Sequence, residues 1–176
     1  MPRALSLSIL AAGVITLAGC NPADPEAPEK VAPATAITPT AAADIPEAVR
    51  IVVLAARPGM VIVDAELKER EGRRYYDVAG TLNGTEIELD LLETPRGWEV
   101  VEIQRDIPWS AAPAAVRAAA EGSRSGFTPV RVIESTQAED GAVIYELFAD
   151  GQPATHVLEV RAANGRTDVL TEAWPH

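Results

Sequence analysis

The chain has 176 residues, 47% hydrophobic and 23% charged, with one Cys, two His and a net charge of −11. That length fits one ordinary domain or two small modules. A single Cys excludes an internal disulfide framework, the acidic balance excludes a phosphate-backbone binder, and no apolar run reaches the ~18–20 residues of a membrane span.

In chain order, residues 1–19 read as an export signal: Met1 and Arg3 are followed by an uncharged apolar run from Leu5 to Ala18, the form of a signal h-region. Leu17-Ala18-Gly19-Cys20 sets small residues directly before the only Cys. This resembles the lipobox of bacterial lipoproteins and makes Cys20 the expected lipidation site. An ordinary secretory signal with a chance Cys is the alternative. Each buried CH2 contributes about 0.8 kcal/mol, so several acyl chains hold where one does not. In the sorting pattern this resembles, Asn21 points to the outer membrane, with the chain facing the periplasm. Residues 20–44 are Pro, Ala, Thr and acidic residues without an aromatic. They read as a disordered tether, having too little apolar surface to offset their ordering entropy.

Asp44-Ile45-Pro46-Glu47 has the form of a helix start, with Asp44 as N-cap and Glu47 closing a capping box. Ile45, Val49, Val52, Val53 and Ala56 then share a helical face, and Pro58-Gly59 ends it. The β-branched run Ile51-Val52-Val53 leaves a strand open as the alternative. After Gly59 the period becomes two. Strands are expected over Met60 to Arg70, Arg73 to Leu82, Thr85 to Leu92 and Trp98 to Arg105, with a hairpin at Asn83-Gly84. Tight turns between them imply an antiparallel meander under the helix.

The same order then recurs. Pro113-Ala114-Ala115-Val116-Arg117 follows Pro46-Glu47-Ala48-Val49-Arg50, Glu134 follows Glu66, Tyr145 follows Tyr76, and Asp150-Gly151 follows Asn83-Gly84, at offsets of about 67–69 residues. An internal duplication is expected. The predicted fold class is α+β: two tandem αββββ repeats over 45–108 and 109–176, each a helix on its own four-strand meander. Units of about 65 residues are marginal alone, so the repeats should pack together or share a sheet.

The Pro-x-Ala-Val-Arg helix start, Tyr75-Tyr76-Asp77-Val78 running to Asn83-Gly84, and the segue Glu102 to Pro108 resemble the PepSY-like family, whose tandem copies fold like beta-lactamase inhibitor protein. The resemblance covers about Ile45 to Trp174. It implies an exported binding module for peptidases or other envelope proteins, with no catalytic residues.

Residues for chemistry are sparse. His156 lies on a predicted strand and His176 ends the chain, which makes no zinc site. Gly122-Ser123-Arg124-Ser125-Gly126 puts Arg where a nucleophile elbow needs Ser. Glu86, Glu88 and Asp90 alternate along one strand, about 7 Å apart on one face. That spacing suits a glycosidase pair or a divalent cation, but a straight strand spreads ligands too far for a calcium loop. A solvated outer face is the plainer reading. The other is a docking face for a basic partner, formed by Tyr75, Asp77, Glu86, Glu88 and Asp90. Trp98, Trp109 and Trp174 read as packing residues.

The sequence therefore leads to a non-enzymatic envelope lipoprotein that binds a protein, with a peptidase as the implied partner class. The alternative is a lipoprotein binding a small ligand or cation. No cofactor, metal or nucleic acid is expected.

Overall fold

The structure is a computed structural model that describes residues 36–151 and 155–174. The expected signal peptide, Cys20, Asn21, most of the tether, Pro153 and His176 lie outside the described residues. Among the described residues no helix is long and apolar enough to cross a membrane.

Among the described residues, nine strands and two α-helices follow in order: β1 (Ala36–Ala41), α1 (Glu47–Ala56), β2 (Val61–Arg70), β3 (Arg73–Leu82), β4 (Thr85–Thr94), β5 (Gly97–Ile107), α2 (Ala114–Ser123), β6 (Arg131–Gln137), β7 (Val143–Phe148), β8 (Leu158–Ala163) and β9 (Arg166–Val169), with a short 3-10 turn before each helix. The strands read from the sequence form because alternation favours a half-buried extended chain. At the β3–β4 hairpin Asn83 and Gly84 take φ of 52° and 81°, the paired left-handed conformations of a two-residue turn that match strand twist.

The expected fold class is overturned at the level of the sheet. In place of two tandem αββββ repeats, each with its own meander, there is one antiparallel sheet of nine strands in the order β1 to β9, with two α-helices. The seam is β5 against β6, paired from Glu102 opposite Gln137 to Ile107 opposite Val132. An unpaired β5 edge would leave a row of N–H and C=O groups without partners, and β6 satisfies them. The ninth strand is β1, from the segment read as tether. It pairs with β2 from Ala36 opposite Glu69 to Ala41 opposite Asp64. Its residues are nearly all exposed, so backbone pairing rather than apolar burial holds it, and a reading based on apolar periodicity does not register it.

Two apolar clusters lie under the helices. In one, Val49 and Val53 of α1 meet Tyr76, Val78, Leu89 and Leu91. In the other, Val116 and Ala120 of α2 meet Val132, Tyr145, Leu147 and Val160. The β-branched run Ile51-Val52-Val53 is helical, because Val53 buries fully in this core while Ile51 remains exposed. Trp98 packs edge-on against Tyr76, with ring centroids 5.1 Å apart, and Trp109 packs on the second cluster.

The helix start also differs from expectation. Asp44 ends a 3-10 turn over Ala42–Asp44, and Pro46 occupies the N-cap without a side-chain cap. Arg50 instead reaches back, its Nη2 donating to the Ala42 carbonyl at 2.5 Å. Arg117 makes the matching bond to the Ala112 carbonyl beneath α2. In both places an arginine in the helix's first turn anchors the preceding turn through a charge-assisted hydrogen bond to a backbone carbonyl.

Candidate functional site: an acidic groove on the sheet

Tyr76 and Val78 of β3, and Leu89 and Leu91 of β4, face α1. Successive strand residues point to opposite faces, so Tyr75, Asp77, Glu86, Glu88 and Asp90 all share the other face. The β3–β4 register sets Tyr75 opposite Leu92, Asp77 opposite Asp90 and Ala79 opposite Glu88. All five residues proposed as a docking face thus lie on one surface, but they differ in depth. Glu86 is exposed, Tyr75 and Glu88 are half-buried, and Asp77 and Asp90 are each only 8% exposed. The reading of Glu86, Glu88 and Asp90 as a solvated outer face is therefore corrected for Asp90, which is buried, and in part for Glu88, while Glu86 is exposed. Register accounts for the crowding, since a carboxylate directly across the pair is closer than the next one along its own strand.

Neighbouring strands add residues that the sequence did not single out. Lys68 of β2 forms an ion pair with Asp77. Glu102 of β5, 3% exposed, lies opposite Asp90 and accepts hydrogen bonds from the Ser135 hydroxyl and, at 2.9 Å, from Gln137 Nε2. Gln104 Nε2 is 3.4 Å from Asp90 Oδ2. Glu102 reaches this face through a bulge. Leu91 pairs with Val100 and Asp90 with Glu102, so β5 advances two residues for one on β4. In a regular ladder without the bulge, alternation would set Glu102 on the same side as Trp98 and Val100.

Crowding of carboxylates in a poorly hydrated place changes their acidity. Burial, followed by the charges of Asp77, Glu102 and Glu88, pushes Asp90 up to about 8. Burial and the charge of Asp77 likewise raise Glu88. Burial pulls Lys68 down, but its hydrogen bond to Asp77 and the surrounding carboxylates outweigh this and hold it above the usual lysine value. The ammonium is therefore firmly charged.

Lys68, Tyr75, Asp77, Glu88, Asp90 and Glu102 line a groove of about 590 Å³, and Glu86 lies outside its lining. Its floor holds Asp77, Glu88, Asp90 and Glu102, and Ile37, Tyr75, Leu92 and Val101 supply apolar surface. Ile37 comes from the unexpected strand β1 and is 52% exposed. The guanidinium carbons of Arg70 and Arg73 lie 5.5 and 5.9 Å from the Tyr75 ring centre.

A second acidic pair occurs farther along the sheet, where Glu146 of β7 lies opposite Glu159 of β8. There His156 stands between them, its ring nitrogens 3.4 Å from each carboxylate, and the Trp174 backbone N–H donates to Glu159 at 2.7 Å. His156, read from the sequence as a plain strand residue, instead lies just before β8 and serves these two buried acids.

Comparison with protein families, with curated proteins and with solved structures finds no match to this chain.

Proposed function

We propose that the protein is a non-enzymatic cell-envelope lipoprotein whose sheet face opposite the helices binds a protein partner. The observation that supports this reading is the groove itself, where exposed and half-buried apolar side chains flank a floor of carboxylates. A partner segment carrying Lys or Arg between apolar residues complements both features. Its apolar side chains cover Ile37, Leu92 and Tyr75, and its cation lies toward the exposed end of the acidic row at Glu86. Buried aromatic anchors and desolvated charges supply most of the energy of such contacts.

The lipobox resemblance makes Cys20 the anchor and the outer membrane, facing the periplasm, the location. The PepSY-like resemblance makes an exported peptidase, bound or inhibited, the partner class.

The test uses the full-length acylated protein as bait in detergent-solubilised envelope, alongside Tyr75→Ala and Glu86→Lys variants. The expected result is a partner recovered by the parent protein, weakened by salt and lost with Glu86→Lys. Recovery of no partner, or of one that both variants retain in full, refutes the reading. In the same cells Cys20→Ser should abolish fatty-acid incorporation and release the chain from the membrane fraction. Unchanged membrane retention would overturn the anchor.

A further inference from the structure

We propose that Asp77, Glu88 and Asp90 form a binding site for a hard divalent cation, with calcium the best fit. The site lies in the floor of the groove but does not rest on the protein-partner reading.

The three residues each offer a carboxylate oxygen, and these oxygens lie within 4.8 Å of one another. A shell of calcium–oxygen bonds, about 2.3–2.6 Å in radius, bridges that span without moving the strands. The arrangement depends on the cross-strand pair. Glu88 and Asp90 are two apart on β4, and Asp77 comes in from β3 directly opposite Asp90.

An independent observation comes from Asp90. Its Oδ1 is buried and has no hydrogen-bond partner, although the residue as a whole is only 8% exposed. Buried carboxylate oxygens are ordinarily supplied with donors, and leaving one without is costly. At the Glu146–Glu159 pair, His156 stands 3.4 Å from each carboxylate and the Trp174 N–H donates to Glu159 Oε2. At Asp90 a metal ion meets the same need.

Charge balance agrees. Asp77, Glu88, Asp90 and Glu102 share the groove floor with the single ammonium of Lys68, which pairs with Asp77, so carboxylates outnumber the cation beside them. The donors are all oxygens, which favours calcium, magnesium or manganese over zinc or copper. Magnesium demands shorter bonds and a stricter octahedron than three carboxylates on rigid strands provide. The remaining coordination positions open onto the groove, where water completes the shell. Because Lys68 competes for Asp77, affinity falls in the weak class of extracellular calcium modules, about 10⁻⁴–10⁻³ M.

The experiment titrates calcium chloride into chelator-treated full-length protein in detergent, with no partner present, followed by calorimetry and by the thermal midpoint. The expected result is a saturable rise in midpoint, with magnesium chloride weaker. Asp90→Asn and Glu88→Gln should each weaken calcium binding by roughly tenfold or more, because affinity follows the number of charged ligands. Lys68→Met, which removes the competing ammonium, should bind calcium more tightly, a gain that a misfolded variant does not produce. No saturable response up to about 10 mM, well above the weakest such modules, overturns the assignment. So does a response that all three substitutions leave unchanged.

Discussion

Replacing Asp90 with Asn keeps the shape of the side chain and removes its ability to ionise. In the fold Asp90 titrates near 8, against 3.8 for an ordinary Asp. Between those values the folded chain holds a proton on Asp90 and the unfolded chain does not. Stability therefore falls as pH rises from about 4 to about 8, by roughly 1 kcal/mol per pH unit at the steepest. Below pH 4 the carboxyl is neutral in both states and has no such effect. The Asn variant lacks this slope. It should match the parent near pH 4 and exceed it by a few kcal/mol near pH 8, a large share of the ~5–15 kcal/mol typical of a domain. Glu88, also raised, leaves a shallower slope of the same sign in the variant. Urea unfolding at steps from pH 4 to pH 9, in chelator, measures both curves. If the two run parallel across this range, Asp90 is not the strained carboxyl and the electrostatic account of the groove fails.

The remaining predictions concern packing. Leu89 is fully buried between α1 and the sheet, whereas Ile51, on the same helix as Val49 and Val53, is 59% exposed. Leu89→Ala should cost about 2–5 kcal/mol and Ile51→Ala within about 0.5 kcal/mol, as urea midpoints at constant slope will show. A Cβ on Gly80 would run into the Val61 carbonyl oxygen and the Met60 side chain, while one on Gly122 in α2 meets nothing. Gly80→Ala should destabilise by about 1–3 kcal/mol, since a backbone oxygen cannot step aside. Gly122→Ala should stabilise by up to ~1 kcal/mol through helix propensity. Thermal melts of the pair that shift in the same direction would contradict both statements.

Much of the local structure was legible in the chain. The period-two runs ending at Asn83-Gly84 located β3 and β4 almost to the residue, because alternation and a left-handed turn are properties of neighbouring side chains. The helix face of Val49 and Val53, and the inward set Ile87, Leu89 and Leu91, followed from periodicity for the same reason. The acids of the candidate site were also visible as a row on one face. Strand β1 was not, since its six residues show no apolar pattern and are held through their backbone.

Only the tertiary structure decided what those elements do together. A strand's backbone donors and acceptors are nearly the same for every residue, so composition does not say which edge accepts a partner. The junction of β5 with β6 made one nine-strand sheet in place of two tandem αββββ repeats, choosing between the packed and the shared arrangement that the sequence had left open. The register of β3 on β4, and the bulge at Val101, then placed Asp77, Asp90 and Glu102 side by side and out of water. The sequence determined which side of each strand bears charge. Pairing between strands determined which charges meet, because carboxylates far apart along the chain come within contact only across a ladder of backbone hydrogen bonds.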